Sequence, residues 1–244
     1  MDTDIHIQIK SDVVPALIDY VNDNYDLPVT VVCDANTYDA LAQRVIEAFD
    51  AVKHPTETVL LTGDEIVANG DYLLKLLVGS RDDGQVFLSV GSGTLTDLTR
   101  YASFRTRNPF IAVPTAPSVD GFISLGAPLI IDGVKQTQIT HPPAAVFADL
   151  GTLAAAPSDL IAAGFGDILG KVTSLADWKL AHLLWEEPFD EAVEQRTRRA
   201  LDRCIAAVDQ IAARDEDGIK LLMDALLESG ISMFEFGSSR SASG

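Results

Sequence analysis

The residues most suggestive of chemistry begin with Gly164-Phe165-Gly166-Asp167 and continue through Lys171 to the segment 177–182. Asp167 follows a glycine pair at the head of a long, apolar-periodic stretch. An acid at such a point is either a helix-start residue, which accepts backbone N–H bonds and faces the positive end of the helix dipole, or a metal ligand. Taken alone, the segment favours the helix-start interpretation, because such acids are common.

Asp177 lies roughly three helical turns past Asp167, so the two acids would share one face of a single helix. Trp178 is predicted to lie in the core. Lys171 and Lys179 are interpreted as ordinary surface lysines, although either is long enough to serve an anion. The segment therefore offers one strong candidate ligand, Asp167, and depends on the rest of the chain for support.

A glycine-containing turn, Gly91-Ser92-Gly93-Thr94-Leu95-Thr96-Asp97, follows an apolar run and precedes a helical pattern. Glycines let backbone N–H groups approach a phosphate, and a helix N-terminus adds partial positive charge. The turn matches neither G-x-G-x-x-G nor a P-loop, so a tight structural turn is an equal alternative.

Two more polar loops follow apolar runs. Pro114-Thr115-Ala116-Pro117-Ser118-Val119-Asp120-Gly121 carries hydroxyls and a carboxylate, although alone it favours an ordinary turn. Asp34-Ala35-Asn36-Thr37 places an acid where a ribose hydroxyl would suit it. Because parallel strands end at one edge of a sheet, all three loops are expected to open at that edge.

The elements that position these loops alternate between strand and helix up to about residue 150. Strands are predicted at 5–9, 28–33, 58–61, 86–90, 110–113 and 144–148, with a hairpin turning at Asp132-Gly133. Strands that are apolar on both faces indicate a parallel sheet covered by helices on both sides. After Asp149 the apolar spacing is helical, as in Leu201, Cys204, Ile205 and Val208. The sequence thus predicts an α/β domain over 1–150 and an all-α region over 151–244.

Composition narrows the class of protein. The 47% hydrophobic content is typical of a globular chain, and no run approaches the roughly 20 apolar residues of a membrane helix. The acidic N-terminus lacks a signal-peptide pattern. A net charge of -18 repels nucleic acid and anionic membranes, whether it reflects a salty cytoplasm or merely a soluble acidic protein. We therefore expect a cytoplasmic protein with no nucleic-acid partner and no stable membrane insertion.

The cysteines and histidines offer little chemistry. Cys33 and Cys204 form no C-x-x-C pair and are interpreted as buried thiols of a reducing compartment. The histidines form neither H-x-x-x-H nor a triad spacing and are interpreted as packed or solvated: His6, His54, His141 and His182.

Together, these motifs resemble the sn-glycerol-1-phosphate dehydrogenase family, within the superfamily of glycerol dehydrogenase, iron-dependent alcohol dehydrogenase and 3-dehydroquinate synthase. The resemblance covers essentially the whole chain, including the loop 237–244. Position 167 is an aspartate, whereas a dehydroquinate synthase would be expected to carry glutamate there. A glycerol dehydrogenase would not be expected to have the 237–244 loop. The resemblance implies a Rossmann-like NAD(P)-binding domain over 1–150. A dehydroquinate synthase-like helical domain for metal and substrate, apparently partial, would occupy 151–244.

The resemblance also implies residue roles. A pyrophosphate cradle would comprise Gly91, Ser92, Gly93, Thr94 and Leu95, and the nicotinamide side would be lined by Thr115, Ala116, Pro117 and Ser118. Ser124 would touch the cofactor, and Asp34 would lie near the adenosine ribose and favour NADH, although relatives use both cofactors. Asp120 would hold substrate hydroxyls. Asp167 would contact the substrate and bind a divalent metal, zinc in most relatives and nickel in some bacterial ones.

The implied reaction is the reduction of dihydroxyacetone phosphate to sn-glycerol 1-phosphate by NAD(P)H, which provides a phospholipid backbone. The metal would polarise the ketone. In the family, the 237–244 loop leads to two metal-binding histidines, which this sequence does not include. We therefore expect a truncated chain, inactive alone, that belongs to a homo-oligomer at full length. The alternatives are a dehydrogenase of glycerol or another alcohol, and a non-catalytic nucleotide-binding module.

Overall fold

The computed structural model describes residues 5–236, so the predicted loop 237–244 lies outside the described residues. The chain divides into two compact units. The α/β unit comprises Met1–Thr115 and Gly126–Leu153, and the helical unit comprises Ala116–Leu125 and Ala154–Gly244. The change between the units after the sheet lies at Leu153–Ala154, and the loop Ala116–Leu125 belongs to the helical unit.

The α/β unit contains a six-stranded sheet. Its strands are β1 (His6–Lys10), β2 (Val29–Asp34), β3 (Thr56–Leu61), β4 (Val86–Gly91), β5 (Phe110–Pro114) and β8 (Ala145–Asp149). They lie in the order β1-β8-β5-β4-β2-β3, and every pair of neighbours is parallel. The central strands β4, β5 and β8 are buried along their whole length, which confirms the prediction of a covered parallel sheet.

The helices of the α/β unit connect successive strands of the sheet. They are α1 (Val14–Asn24), α2 (Ala35–Thr37), a π-helical turn (Tyr38–Ala42), α3 (Gln43–Ala51), α4 (Gly70–Gly79) and α5 (Gly93–Thr106). The Asn69 side chain caps α4 by accepting a bond from the N–H of Tyr72 at 3.1 Å. Leu17, Leu41 and Phe49 are fully buried in the core on one side of the sheet, together with residues of β2 and β4.

The predicted hairpin is confirmed as the antiparallel pair β6 (Gly126–Ile131) and β7 (Val134–Ile139). Its turn residues Asp132 and Gly133 both have positive φ, at 53° and 75°. Such a turn matches the twist of the flanking strands, which explains the Asp-Gly pair.

The long segment of the helical unit begins at Ala154, within α6 (Leu150–Ala155). It then contains α7 (Ser158–Leu169), α8 (Lys171–Trp185), α9 (Glu191–Ala206), α10 (Val208–Ala212) and α11 (Glu216–Phe236). Trp178 is buried as predicted, against Phe189 and Phe236. In the part of the chain that the structure describes, no helix is both long and apolar enough to cross a membrane.

Asp167 is not a helix-start residue, which corrects one of the two interpretations. Proline disfavours a helical conformation in the residue before it, and α7 begins directly after Pro157. Asp167 therefore lies in the last turn of α7 and not at its start. Gly170 then separates α7 from α8. Asp177, an exposed residue, therefore lies on a different helix, and the expectation of one shared helical face was wrong.

Candidate functional site

A cavity of about 360 Å³ lies in the α/β unit, where the neighbouring strands β3, β2 and β4 end. Its lining comprises Asp34, Ala35, Asn36, Leu61, Thr62, Gly63, Asp64, Glu65, Ile66, Ser92, Thr94 and Leu95. We call this the strand-end cavity. It brings together four residues that the sequence predicted for cofactor binding, namely Asp34 from one loop and Ser92, Thr94 and Leu95 from another. Open parallel sheets bind ligands at this edge.

The glycine-containing turn places the N-terminus of α5 at the strand-end cavity. Ser92 is the N-cap residue, in an extended conformation, and its side chain makes no capping bond. Helix α5 runs for 14 residues, from Gly93 to Thr106, so its N-terminal N–H groups carry the partial positive charge of a long helix. This end of the cavity suits an anionic group such as a phosphate.

Asp34 has a structural role in addition to any contact with a ligand. Its Oδ1 accepts a bond from the N–H of Thr37 at 2.8 Å, and the Thr37 hydroxyl accepts one from the N–H of Asp34 at 2.9 Å. This capping box starts α2. One carboxylate oxygen of Asp34 is therefore engaged by the start of α2.

The loop 62–66, which no sequence motif indicated, supplies nearly half of the cavity lining. This loop is tied to α4, because Lys75 Nζ donates to the carbonyl of Thr62 at 3.2 Å and the Tyr72 hydroxyl donates to that of Glu65 at 2.9 Å. The available signal was positional: the loop directly follows β3, as the glycine turn follows β4. It carries no recognisable motif.

A second site candidate lies within the helical unit. Lys171 Nζ is 2.7 Å from Asp120 Oδ2 and 3.6 Å from Asp167 Oδ1. The Ser229 hydroxyl donates to Asp120 Oδ2 at 2.8 Å, and the backbone N–H of Asp120 donates to Asp167 Oδ2 at 2.8 Å. We call these four residues the carboxylate cluster. It joins a loop, the end of α7, the start of α8 and the middle of α11.

Two glycines allow the loop that carries Asp120 to approach the helices. A Cβ at Gly164 in α7 would overlap the carbonyl oxygen of Pro117. A Cβ at Gly230 in α11 would lie 2.5 Å from the carbonyl oxygen of Asp120. Only glycine fits such close backbone contacts, so the loop that carries Asp120 can pack here because both positions are glycine.

Burial controls the electrostatics of the carboxylate cluster. Desolvation raises the pKa of Asp120 above its ordinary value. The neighbouring Lys171 ammonium opposes that rise, and the Asp167 charge adds to it. Lys171 is only 2% exposed, so its interpretation as a surface lysine was wrong. Its ammonium instead compensates two carboxylates, which is what a buried charge requires.

The carboxylate cluster does not by itself fit a divalent metal. A catalytic zinc takes three protein ligands, and within residues 5–236 no three His, Cys, Asp or Glu side chains come together to hold a metal. Asp120 and Asp167 supply two carboxylates, and the Lys171 ammonium lies beside both. The described residues therefore do not form a metal centre.

The remaining predicted cofactor residues are divided between the units. Thr115, the last residue of its segment of the α/β unit, donates its N–H to the carbonyl of Gly91 at 3.3 Å. Ala116 to Ser118 belong to the helical unit, and Ser118 is 5% exposed. Ser124, also there, donates its hydroxyl to the carbonyl of Gly121 at 3.1 Å.

The histidines are packed or hydrogen-bonded, as predicted. His6 stacks on Tyr20, and His54 contacts the side chain of Asn22 and the carbonyl of Leu27. His141 contacts Ser103, and His182 contacts the carbonyl of Glu187. The thiols of Cys33 and Cys204 are free and buried, and burial raises their pKa to about 12 and about 11.

The chain matches a known protein family and has similar relatives. The model of the iron-containing alcohol dehydrogenase family matches residues 8–157, and the chain belongs to that family. Within it, the chain is 46% identical over 241 residues to a glycerol-1-phosphate dehydrogenase [NAD(P)+] of Halalkalibacterium halodurans, covering 98% of this chain and 60% of that protein. It is also 46% identical over 219 residues to the enzyme of the same name from Geobacillus stearothermophilus, covering 88% of this chain and 54% of the relative.

The fold has solved counterparts. The crystal structure of glycerol dehydrogenase from Schizosaccharomyces pombe superposes with a TM-score of 0.79 at 20% identity, covering 96% of this chain and 61% of that one. This likeness confirms the predicted fold class, a parallel-sheet α/β unit followed by helices. The chain spans 54 to 60% of the length of the two relatives named above.

Proposed function

We propose that the protein takes part in the NAD(P)-dependent, metal-dependent reduction of dihydroxyacetone phosphate to sn-glycerol 1-phosphate, a backbone for phospholipids. One observation carries the proposal: the N-terminus of α5, at a glycine turn, borders the strand-end cavity together with Asp34. That combination of an anion site and a carboxylate at the carboxyl edge of a parallel sheet suits a dinucleotide. The names of the relatives support the choice of substrate.

Individual residues are proposed to contact different parts of the cofactor. Gly91 to Leu95 would hold the pyrophosphate, and Asp34 would face the adenosine ribose. Thr115 to Ser118 and Ser124 would accompany the nicotinamide. The bound nicotinamide supplies the hydride, and the residues of this chain contribute binding and orientation.

Asp120 is proposed to hold the hydroxyl groups of the phosphorylated triose or glycerol. Both side-chain contacts of Asp120 within the cluster involve Oδ2, which leaves Oδ1 as the oxygen for a substrate hydroxyl. Asp167 is proposed as a substrate contact and as one ligand of a divalent metal, zinc or nickel. The described residues do not complete that metal site. Cytoplasmic location and homo-oligomerisation stay predictions.

The test has two stages on the 244-residue chain. Calorimetry first measures the binding of NADH and NADPH. Oxidation of each cofactor is then followed by absorbance with dihydroxyacetone phosphate, in the presence of zinc, nickel or iron. Binding followed by phosphate-specific turnover supports the proposal. Turnover that glycerol inhibits better than glycerol phosphate would instead favour an unphosphorylated polyol, and a folded chain that binds neither cofactor would exclude the proposal.

A second candidate function is nucleotide binding without turnover. The observation that favours it is the lack, within residues 5–236, of three side chains that could hold a metal together. Cofactor binding by a chain that binds no zinc or nickel in calorimetry, and oxidises no cofactor, would select this candidate.

A further inference from the structure

The strand-end cavity has an uneven charge. Its lining includes three acids, Asp34, Asp64 and Glu65, and none of the described residues that line it is basic. Asp64 and Glu65 belong to the loop after β3, whereas Asp34 ends β2. Two adjacent strand ends therefore direct acids to one cavity, and the opposite part of the lining is the N-terminus of α5.

The loop that carries Asp64 and Glu65 is held in place by contacts to its backbone. Tyr72 and Lys75, both on α4, donate to the carbonyls of Glu65 and Thr62. Lys75 is thus the basic side chain nearest to this loop among the contacts described, and its ammonium is bound to a carbonyl oxygen and also lies 4.5 Å from the centre of the Tyr72 ring. The two acids are presented by an anchored loop.

We infer that the strand-end cavity selects NADH over NADPH, and that Asp64 and Glu65 make this selection together with Asp34. The inference rests on the proposed function, since it takes the ligand to be a nicotinamide dinucleotide. If α5 holds the pyrophosphate, the adenosine ribose lies toward the acids. A ribose 2′-hydroxyl can donate to a carboxylate, whereas the 2′-phosphate of NADPH would place a further anion against them.

Asp34 alone is a weak selector in this structure. Its Oδ1 already accepts the N–H of Thr37, so part of its charge is balanced by the start of the helix. Asp64 and Glu65 have no such role, and both are exposed at the cavity.

The test measures binding, so it does not depend on turnover. Calorimetry on the 244-residue chain compares NADH with NADPH, and 5′-AMP with adenosine 2′,5′-bisphosphate, at low and at moderate ionic strength. We expect NADH to bind about tenfold more tightly than NADPH, a ratio that falls as salt screens the charges. The double variant Asp64→Asn/Glu65→Gln should narrow the ratio about fivefold, mainly by tightening NADPH binding.

The matched control is Asp23→Asn/Asp26→Asn, which removes the same charge from exposed positions that precede β2, at the opposite edge of the sheet. It should leave the ratio unchanged. Equal affinities for NADH and NADPH, a preference for NADPH, or an equal shift in both double variants would overturn the inference while leaving the proposed function intact. If the folded chain binds neither cofactor, the proposed function and the inference both fail.

Discussion

The strand-end cavity and the carboxylate cluster use acidic residues in opposite ways. In the cavity, Asp64 and Glu65 are exposed, and the anchoring contacts of their loop involve backbone atoms. In the cluster, Asp120 is 7% exposed and is bound by the side chains of Lys171 and Ser229. An exposed carboxylate costs little and remains available to a ligand, whereas a buried one must be compensated by its neighbours.

This difference indicates which residues contribute to the stability of the fold. Changes in the carboxylate cluster and its glycine contacts should destabilise the helical unit, because each removes a compensating group or introduces an overlap. Changes among the cavity acids should alter binding with little effect on stability.

Gly164→Ala should have the largest effect. The new Cβ would overlap the carbonyl oxygen of Pro117, so the backbone of the loop or of α7 must move. We expect a loss of about 3 kcal/mol in the free energy of unfolding, measured by urea denaturation. Gly166→Ala, two residues along the same helix, is the matched control because its Cβ would meet nothing within 4 Å. It should be neutral or slightly stabilising, and equal losses in the two variants would contradict the packing argument.

Lys171→Met should have the second-largest effect on stability. It removes the ammonium that compensates Asp120 and Asp167 and keeps a side chain of similar volume. Leaving the buried carboxylate of Asp120 without its cation should cost about 3 kcal/mol at neutral pH, measured by thermal and urea unfolding. Lys179→Met on the same helix is the control. Its exposed ammonium lies 4.2 Å from the centre of the Phe189 ring, a contact worth about 0.5 kcal/mol. Similar losses in the two variants would show that Lys171 is not a compensating cation.

Asp149→Asn tests whether the burial of a carboxylate, and not the unit it belongs to, decides how much its substitution lowers the free energy of unfolding. Asp149 ends β8 in the α/β unit. Burial would raise its pKa, but bonds from Thr152 and the Val13 N–H outweigh that and, with the Arg44 charge, lower it. The ionised form therefore stabilises the fold above the unfolded pKa of about 4, and this contribution is lost as pH falls through the lower folded pKa.

We expect Asp149→Asn to cost about 1–2 kcal/mol at pH 7, measured by urea unfolding. The stabilities of the variant and the parent should converge as the pH is lowered through the folded pKa of Asp149, which lies below its ordinary value. A constant difference across the whole pH range would mean that the charge of Asp149 contributes nothing.

Asp64→Asn/Glu65→Gln should have the smallest effect on stability, within about 0.5 kcal/mol, because both side chains are exposed. The same urea measurement checks it. A loss as large as that of Lys171→Met would remove the contrast between the two regions and show that the cavity acids also support the fold.

The sequence predicted the α/β unit well because its signals are local. Apolar runs such as Val86–Gly91 marked buried strands, and Asp132-Gly133 marked the hairpin turn. The cavity was partly predictable for the same reason, since Asp34 and Ser92 directly follow strands. The loop 62–66 was missed because its position after β3, and not its residue types, carries the signal.

The amino-acid sequence was enough to predict the order of strands and helices along the chain, the parallel sheet, the polar loops at strand ends and the family. These follow from periodicity, turn residues and motifs, which act over a few positions. Only the tertiary structure decided that Asp167 lies at the end of α7, that Lys171 is buried between two carboxylates, and that Ser229 bonds to Asp120. Ser229 and Asp120 lie 109 residues apart in the chain, and their contact depends on backbones that approach closely at glycines. Local spacing does not encode such a contact, because it arises only when distant elements pack together.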